Sequence, residues 1–303
     1  MRIKIILYFL LLSHFAGFSQ QDSQYTQYMY NTININPAYA GSRGVLSVFG
    51  LHRSQWIGMD GAPTTNSFSV NSPISNTNIG AGISFVNDRI GPTDENTISI
   101  DLSYSIKTSE NYKLSFGLKG TGNFFNLDSG KLKPANAGDS KLQNLRNNFT
   151  PNLGAGIYFH SNKFYAGISV PNFFEEVRYN DNSVSVNKEK MNFYFLSGYV
   201  FDINPDIKFK PTFLIKTVEG SPLQADFSAN FLVYQKFTAG IAYRWDASVS
   251  ALAGFQISEK LFIGYGYDRE TTKLQNYNSG SHEIFLRFEL FSNYDRIISP
   301  RFF

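Results

Sequence analysis

The chain has 303 residues, a formal net charge of +3, 42% hydrophobic, 17% charged and 16% aromatic residues, and no cysteine. Charge content lies below the roughly 25% of ordinary soluble domains, and its near balance leaves no basic footprint for nucleic acid. The lack of cysteine excludes disulfides, thiolate metal sites and a lipid-bearing cysteine behind a signal sequence.

The chain opens MRIKIILYFLLLSHFAGFS, with Arg2 and Lys4 ahead of a short apolar run and with Gly17 and Ser19 placed as small residues at a cleavage site. This pattern predicts a secretory signal peptide over 1–19, with Gln20 as the mature start. The run is shorter than the roughly 20 residues a spanning helix needs, and no later run of 18 apolar residues exists.

Residues 20–42 follow as a separate segment in which Tyr25, Tyr28, Tyr30 and Tyr39 stand among Gln and Asn. Such a stretch is too polar for lipid and too aromatic for a plain linker. It fits a plug inside a barrel or a periplasmic patch for a partner, against the plainer reading of a loose leader.

Over 43–303 the dominant signal is alternation of apolar and polar residues. In TISIDLSYSIK (97–107), Ile98, Ile100, Leu102, Tyr104 and Ile106 share one face, and Ser99, Asp101, Ser103, Ser105 and Lys107 the other. About fourteen such strands are predicted, near 43–53, 64–71, 77–87, 95–108, 112–125, 151–160, 163–170, 191–202, 206–217, 221–234, 237–246, 248–257, 260–268 and 281–291. The alternation is blurred at 43–53 and 191–202. Links after even strands are short (SPISN, SEN, SN, INP, QK, SE). Links after odd strands tend to be long (SQWIGMDGAP, DRIGPTD, residues 126–150, PNFFEEVRYNDNSVSVNKEK, RETTKLQNYNSG), with short exceptions after the ninth and eleventh.

An even strand number with loops sorted by side is the layout of an outer-membrane barrel. Two packed soluble sheets would need protected edges, whereas a closed barrel has none. Aromatics near strand ends, including Tyr112, Phe124, Tyr234, Phe237, Trp245 and Tyr267, fit interfacial girdles. The fold expected is an all-β, transmembrane, antiparallel up-and-down barrel with its apolar face toward lipid.

Little in the chain points to catalysis. The glycine clusters GAGIS (80–84), GAGIY (154–158), AGIA (239–242) and GYGY (264–267) lie within strand patterns and read as bend points or lumen-facing glycines rather than phosphate loops. His52, His160 and His282 lack metal-ligand spacing, and no G-x-S-x-G elbow occurs. No metal, cofactor or catalytic residue is expected. Asp101, Lys113, Lys119, Lys208, Lys210, Asp226, Arg244, Arg287 and Glu289 are expected to face inward as a charge network.

Two blocks exceed what barrel physics requires: QDSQYTQYMYNTININPAYAGS at 21–42 and LHRSQWIGMDGAPTTNSFSVNSPI at 51–74. With the ending SPRFF, they resemble the PorP/SprF family of type IX secretion system outer-membrane proteins. The resemblance rests on Gln24, Tyr25, Tyr28, Asn36, Pro37, Ala38, Tyr39, Ala40 and Gly41 in the first block. In the second it rests on Arg53, Gln55, Trp56, Gly58, Asp60, Gly61, Ala62, Pro63 and Thr64.

It implies a non-enzymatic, cofactor-free barrel in the cell outer membrane of a gliding or surface-secreting bacterium. The partners implied are the type IX secretion machinery and a secreted surface protein client such as an adhesin, besides outer-membrane lipid. Candidate partner-binding residues are Tyr25, Tyr28, Asn36, Pro37, Tyr39, Gln55, Trp56, Gly58, Asp60, Gly61 and Pro63. A solute channel or porin is the alternative, and an outer-membrane hydrolase a distant third.

Overall fold

The computed structural model describes residues 25–131, 145–174, 176–177 and 188–290. The expected signal peptide, Gln24, the middle of the 126–150 stretch and the SPRFF ending lie outside the described residues. Fourteen antiparallel strands form one barrel. The first seven are β1 (Leu46–Ser54), β2 (Thr64–Pro73), β3 (Ile79–Ile90), β4 (Thr93–Lys107), β5 (Lys113–Leu127), β6 (Leu145–His160) and β7 (Phe164–Val170). After a two-residue-deep ribbon (Glu176–Val177 with Lys188–Glu189) comes β8, which covers Asn192–Tyr199 and resumes at Phe201–Asp202 past Val200. The rest are β9 (Ile207–Val218), β10 (Gln224–Val233), β11 (Phe237–Arg244), β12 (Ser248–Gln256), β13 (Leu261–Glu270) and β14 (Ser281–Leu290).

Each strand pairs with its sequence neighbours, and β1 pairs with β14 from Leu46↔Leu290 to Ser54↔His282, so no edge remains between first and last. In β4, Ile98, Ile100, Leu102, Tyr104 and Ile106 are all exposed on the outside, whereas Asp101 is 0% exposed. The same division runs along β5, where Leu118 is 68% exposed and its neighbour Lys119 3%. Burying charge while displaying Leu and Ile is untenable in water. It is the arrangement lipid requires of a barrel. No helix among the described residues is long and apolar enough to cross a membrane, and the chain crosses with strands.

Even links span three to five residues and gather at one end, together with the start of β1 and the end of β14. Odd links gather at the other end, where outer-membrane barrels face the cell surface. One expected long link does not exist. DRIGPTD is mostly strand, because β3 runs to Ile90 and β4 starts at Thr93, leaving only Gly91 and Pro92, with Gly91 at φ +55°. The turn is thus as tight as a two-residue hairpin allows.

Strand length varies around the wall, from 16 residues in β6 to 7 in β7 and 8 in β11, and the surface rim is tall over β3–β6 and low over β10–β13.

The lumen is not uniformly polar. Phe49, Leu51, Tyr158, Tyr165, Leu196, Leu214, Leu252, Phe262 and Phe285 point inward and form the molecule's main apolar cluster with Met29, Tyr30, Ile33 and Tyr39 of the N-terminal segment. This accounts for the blurred alternation of β1 and β8. Their inner faces carry Phe49, Leu51 and Leu196 because they pack against protein rather than water. Lys113 and Lys208 share the inward register of Lys119 and Lys210 but lie at the rim of the lumen rather than within it. Lys113 is exposed at the short-turn end, and Lys208 pairs with Asp202 there at 3.4 Å.

Candidate functional site

Residues 25–45 run through the lumen before entering β1. The segment is three short 3-10 turns, Tyr28–Tyr30, Thr32–Asn34 and Pro37–Tyr39. Pro37 sits at the first position of the last turn, and the Asn36 side chain accepts from Ala38 N at 3.0 Å, the usual polar cap of a helical start. Almost every residue from Thr26 to Ala40 is buried.

The segment begins near the surface mouth. Tyr25 O accepts from Arg244 at the end of β11 (3.4 Å), and the Thr26 and Gln27 amides donate to the two oxygens of Glu283 (3.1 and 3.0 Å). Arg53 of β1 bridges Asp268 (2.7 Å) and Glu283 (3.2 Å) and donates to the Thr26 hydroxyl (2.9 Å). Arg53 and Glu283 face each other directly across the β1–β14 pairing. One guanidinium thus serves two carboxylates and the incoming chain, a task for which its fan of donors is suited. Arg53 counted in the sequence only as part of a motif. Its partners Asp268 and Glu283 did not stand out, because nothing local marks them.

Further in, Tyr30 packs on both Phe262 and Phe285 (centroids 5.5 and 4.6 Å), with Arg287 and Lys210 over its ring at 5.8 and 5.4 Å. Lys119, paired with Asp101 at 2.9 Å, donates to Ile33 O at 3.2 Å. At the short-turn end the chain presses onto glycines. A Cβ at Gly117 would stand 2.1 Å from Ala38 N, one at Gly156 2.2 Å from Asn36 Oδ1, and one at Gly80 2.2 Å from Ala40 O. Gly80 and Gly82 of GAGIS and Gly156 of GAGIY are therefore a seat for the segment as well as strand residues. Arg43, in the connection to β1, pairs with Glu289. Burial pushes its guanidinium down, but the Glu289 carboxylate and the Tyr39 hydroxyl together more than offset this and hold it above its ordinary value.

The second candidate group lies in the loop between β1 and β2. Gln55 N donates to Pro63 O (2.9 Å) and closes the loop's base. Trp56 adopts φ +47° and donates through Nε1 to Glu270 at 3.0 Å, while its amide donates to Ser281 Oγ at 3.2 Å. Ile57 and the β13–β14 loop exchange main-chain bonds through Gly280 O and Ser279 N (2.9 and 2.8 Å). On the other side Gly91 N donates to Gly61 O at 2.9 Å. Gly58 at φ +97° and Gly61 at φ +72° occupy the left-handed region that other residues rarely adopt. The loop is strapped at both flanks, with Gly58, Asp60 and Gly61 facing solvent and Pro63 buried.

The structure therefore separates the candidates. Tyr28, Asn36, Pro37 and Tyr39 are buried within the lumen and Tyr25 is half-buried at its mouth, while Gly58, Asp60 and Gly61 are exposed at the surface rim. Trp56 and Gln55 are half-buried between them. Among the described residues no group of three His, Asp or Glu side chains is placed to hold a metal ion.

Solved outer-membrane proteins share this architecture at low identity. A monoaromatic hydrocarbon channel, CymD, aligns with a TM-score of 0.52 at 11% identity, covering 92% of this chain and 96% of its own. Omp33 of Acinetobacter baumannii aligns with a TM-score of 0.49 at 9% identity, covering 81% and 98%. No curated protein matches the chain. The profile of the type IX secretion system membrane protein PorP/SprF matches residues 17–288. A fourteen-strand barrel with its apolar face outward, joined to that match over most of its length, makes this chain an outer-membrane member of the PorP/SprF family of the type IX secretion system.

Proposed function

We propose that this barrel assists the export and surface anchoring of a large type IX client, such as an adhesin, without catalysing a reaction. The observation that carries the reading is the filled lumen. The N-terminal segment engages β2, β4, β5, β6, β7, β9, β11, β13 and β14 by hydrogen bonds or ion-pair partners. A lumen so occupied suits a binding platform better than a solute path. The rigid, exposed turn carrying Gly58, Asp60 and Gly61 offers the partner contact at the surface. Tyr25 acts at the mouth, and Tyr28, Asn36, Pro37 and Tyr39 act from within, by holding the segment in the lumen.

The test is deletion of the gene, with the surface proteome and antibiotic permeability measured together. Tagged protein extracted in mild detergent is analysed by mass spectrometry in parallel. The expected result is loss of one large surface protein, unchanged permeability, and co-purification of that protein or of secretion components. A permeability defect with the surface proteome intact, and a barrel that purifies alone under crosslinking, would favour the channel alternative.

A further inference from the structure

We infer that the lumen is a binding site for a polypeptide segment, occupied in cis by residues 25–41, and that a peptide supplied in trans can take the same place.

The inner wall recognises the segment through its main chain as well as its side chains. Arg244, Lys119, Ser169 and Ser103 donate to the carbonyl oxygens of Tyr25, Ile33, Ile35 and Ala40 (3.4, 3.2, 2.6 and 2.7 Å). Glu283 accepts the amides of Thr26 and Gln27, and Asn71 Oδ1 accepts that of Gly41 at 3.2 Å. A segment folded as ordinary core meets its main-chain needs in its own helices or sheet. This one meets part of them within its short turns and a further seven through side chains contributed by six strands, which is how a peptide groove treats its ligand.

Two close fits add selectivity. Ala38 is fully buried with its main chain resting on Gly117, and Asn36 Nδ2 donates to Ile157 O at 3.0 Å.

The barrel does not need the segment for its own backbone bonding. All fourteen strands pair with their neighbours, and the segment joins no sheet. It leads into β1 through Gly41 (φ +70°) and Gly44 (φ +78°), two glycines that free the connection to bend. The inference stands on this geometry alone, so its failure leaves the type IX reading untouched.

The test uses detergent-purified protein lacking residues 20–41 and, as probe, a fluorescent synthetic peptide of residues 25–42. Anisotropy should show saturable binding to this variant and at least about tenfold weaker binding to the full chain, whose site is filled. Binding should also fall at least about tenfold when the peptide carries Ala38→Leu or the truncated barrel carries Gly117→Val. A folded truncated barrel that ignores the peptide, or binds the Ala38→Leu peptide equally, would overturn the inference. Should the truncated chain fail to fold, a full-length form with a protease site between Ser42 and Gly44 is folded first and then cut. Exchange of the cut segment for labelled peptide supports the site. Retention without exchange over a day identifies the segment as permanent core and rejects it.

Discussion

Ala38 N passes so close to Gly117 that a Cβ on the glycine would stand 2.1 Å away. The neighbour is main chain, which cannot rotate aside, so any side chain at residue 117 must lift the segment. Gly117→Ala should destabilise the protein by about 1–3 kcal/mol through overpacking. Gly120, three residues along β5 with nothing within 4 Å of its would-be Cβ, is the matched control, and Gly120→Ala should stay within about 0.5 kcal/mol. The midpoint of heat-modified migration on gels compares the two.

Arg53→Met should be far more damaging than removal of a surface arginine. It leaves Asp268 and Glu283 buried without their cation, a loss of about 3–5 kcal/mol by analogy with broken buried pairs. Arg89, whose side chain is 65% exposed beside Asp94, should cost less than about 1 kcal/mol as Arg89→Ala. Chemical denaturation in detergent gives both values, and equal losses would contradict the clamp.

Leu118 tests which face meets lipid. A charge at a well-exposed position of a soluble protein is harmless, whereas Leu118→Arg at mid-wall should cost about 2–4 kcal/mol in the bilayer. The readout is refolding yield into liposomes against the same variant in detergent. The penalty should be present only in the lipid.

Trp56→Phe keeps the aromatic body and removes the Nε1 donor to Glu270. The loop should loosen by about 0.5–1.5 kcal/mol, the net value of one such bond. Hydrogen exchange at the Ile57 and Ser279 amides, which bond across the two loops, should accelerate by about tenfold. Unchanged exchange would mean that the main-chain bonds alone hold the loop.

Much of the barrel is legible in the chain because strand periodicity is local. Ile98 to Ile106 read outward from their neighbours alone, and the structure exposes all of them. The reading weakens where an inner face meets protein. Phe49 and Leu51 obscure the period of β1 because Tyr30 and its neighbours pack against them. The tight turn at Gly91–Pro92 was hidden by polar residues such as Asp88, Arg89 and Asp94, which look like loop but stand above the apolar band as strand.

The clamp was beyond reach. Arg53 and Glu283 are 230 positions apart, and only barrel closure brings them together. The seat was visible as glycine clusters, yet its purpose depends on where Ala38 and Asn36 come to rest.

The same separation constrains the order of assembly. Thr26 and Gln27 find their carboxylate only on β14, 257 and 256 positions downstream, and Arg53 faces Glu283 across the seam where the last strand meets the first. Contacts so distant in sequence form late in folding. The seat on β3–β6 can receive Asn36 to Ala40 as soon as those strands exist, while the latch at the mouth must wait for the final hairpin. Sealing the seam and locking the inner segment are therefore one kinetic event, and a chain stalled before β14 would carry its leading end loose.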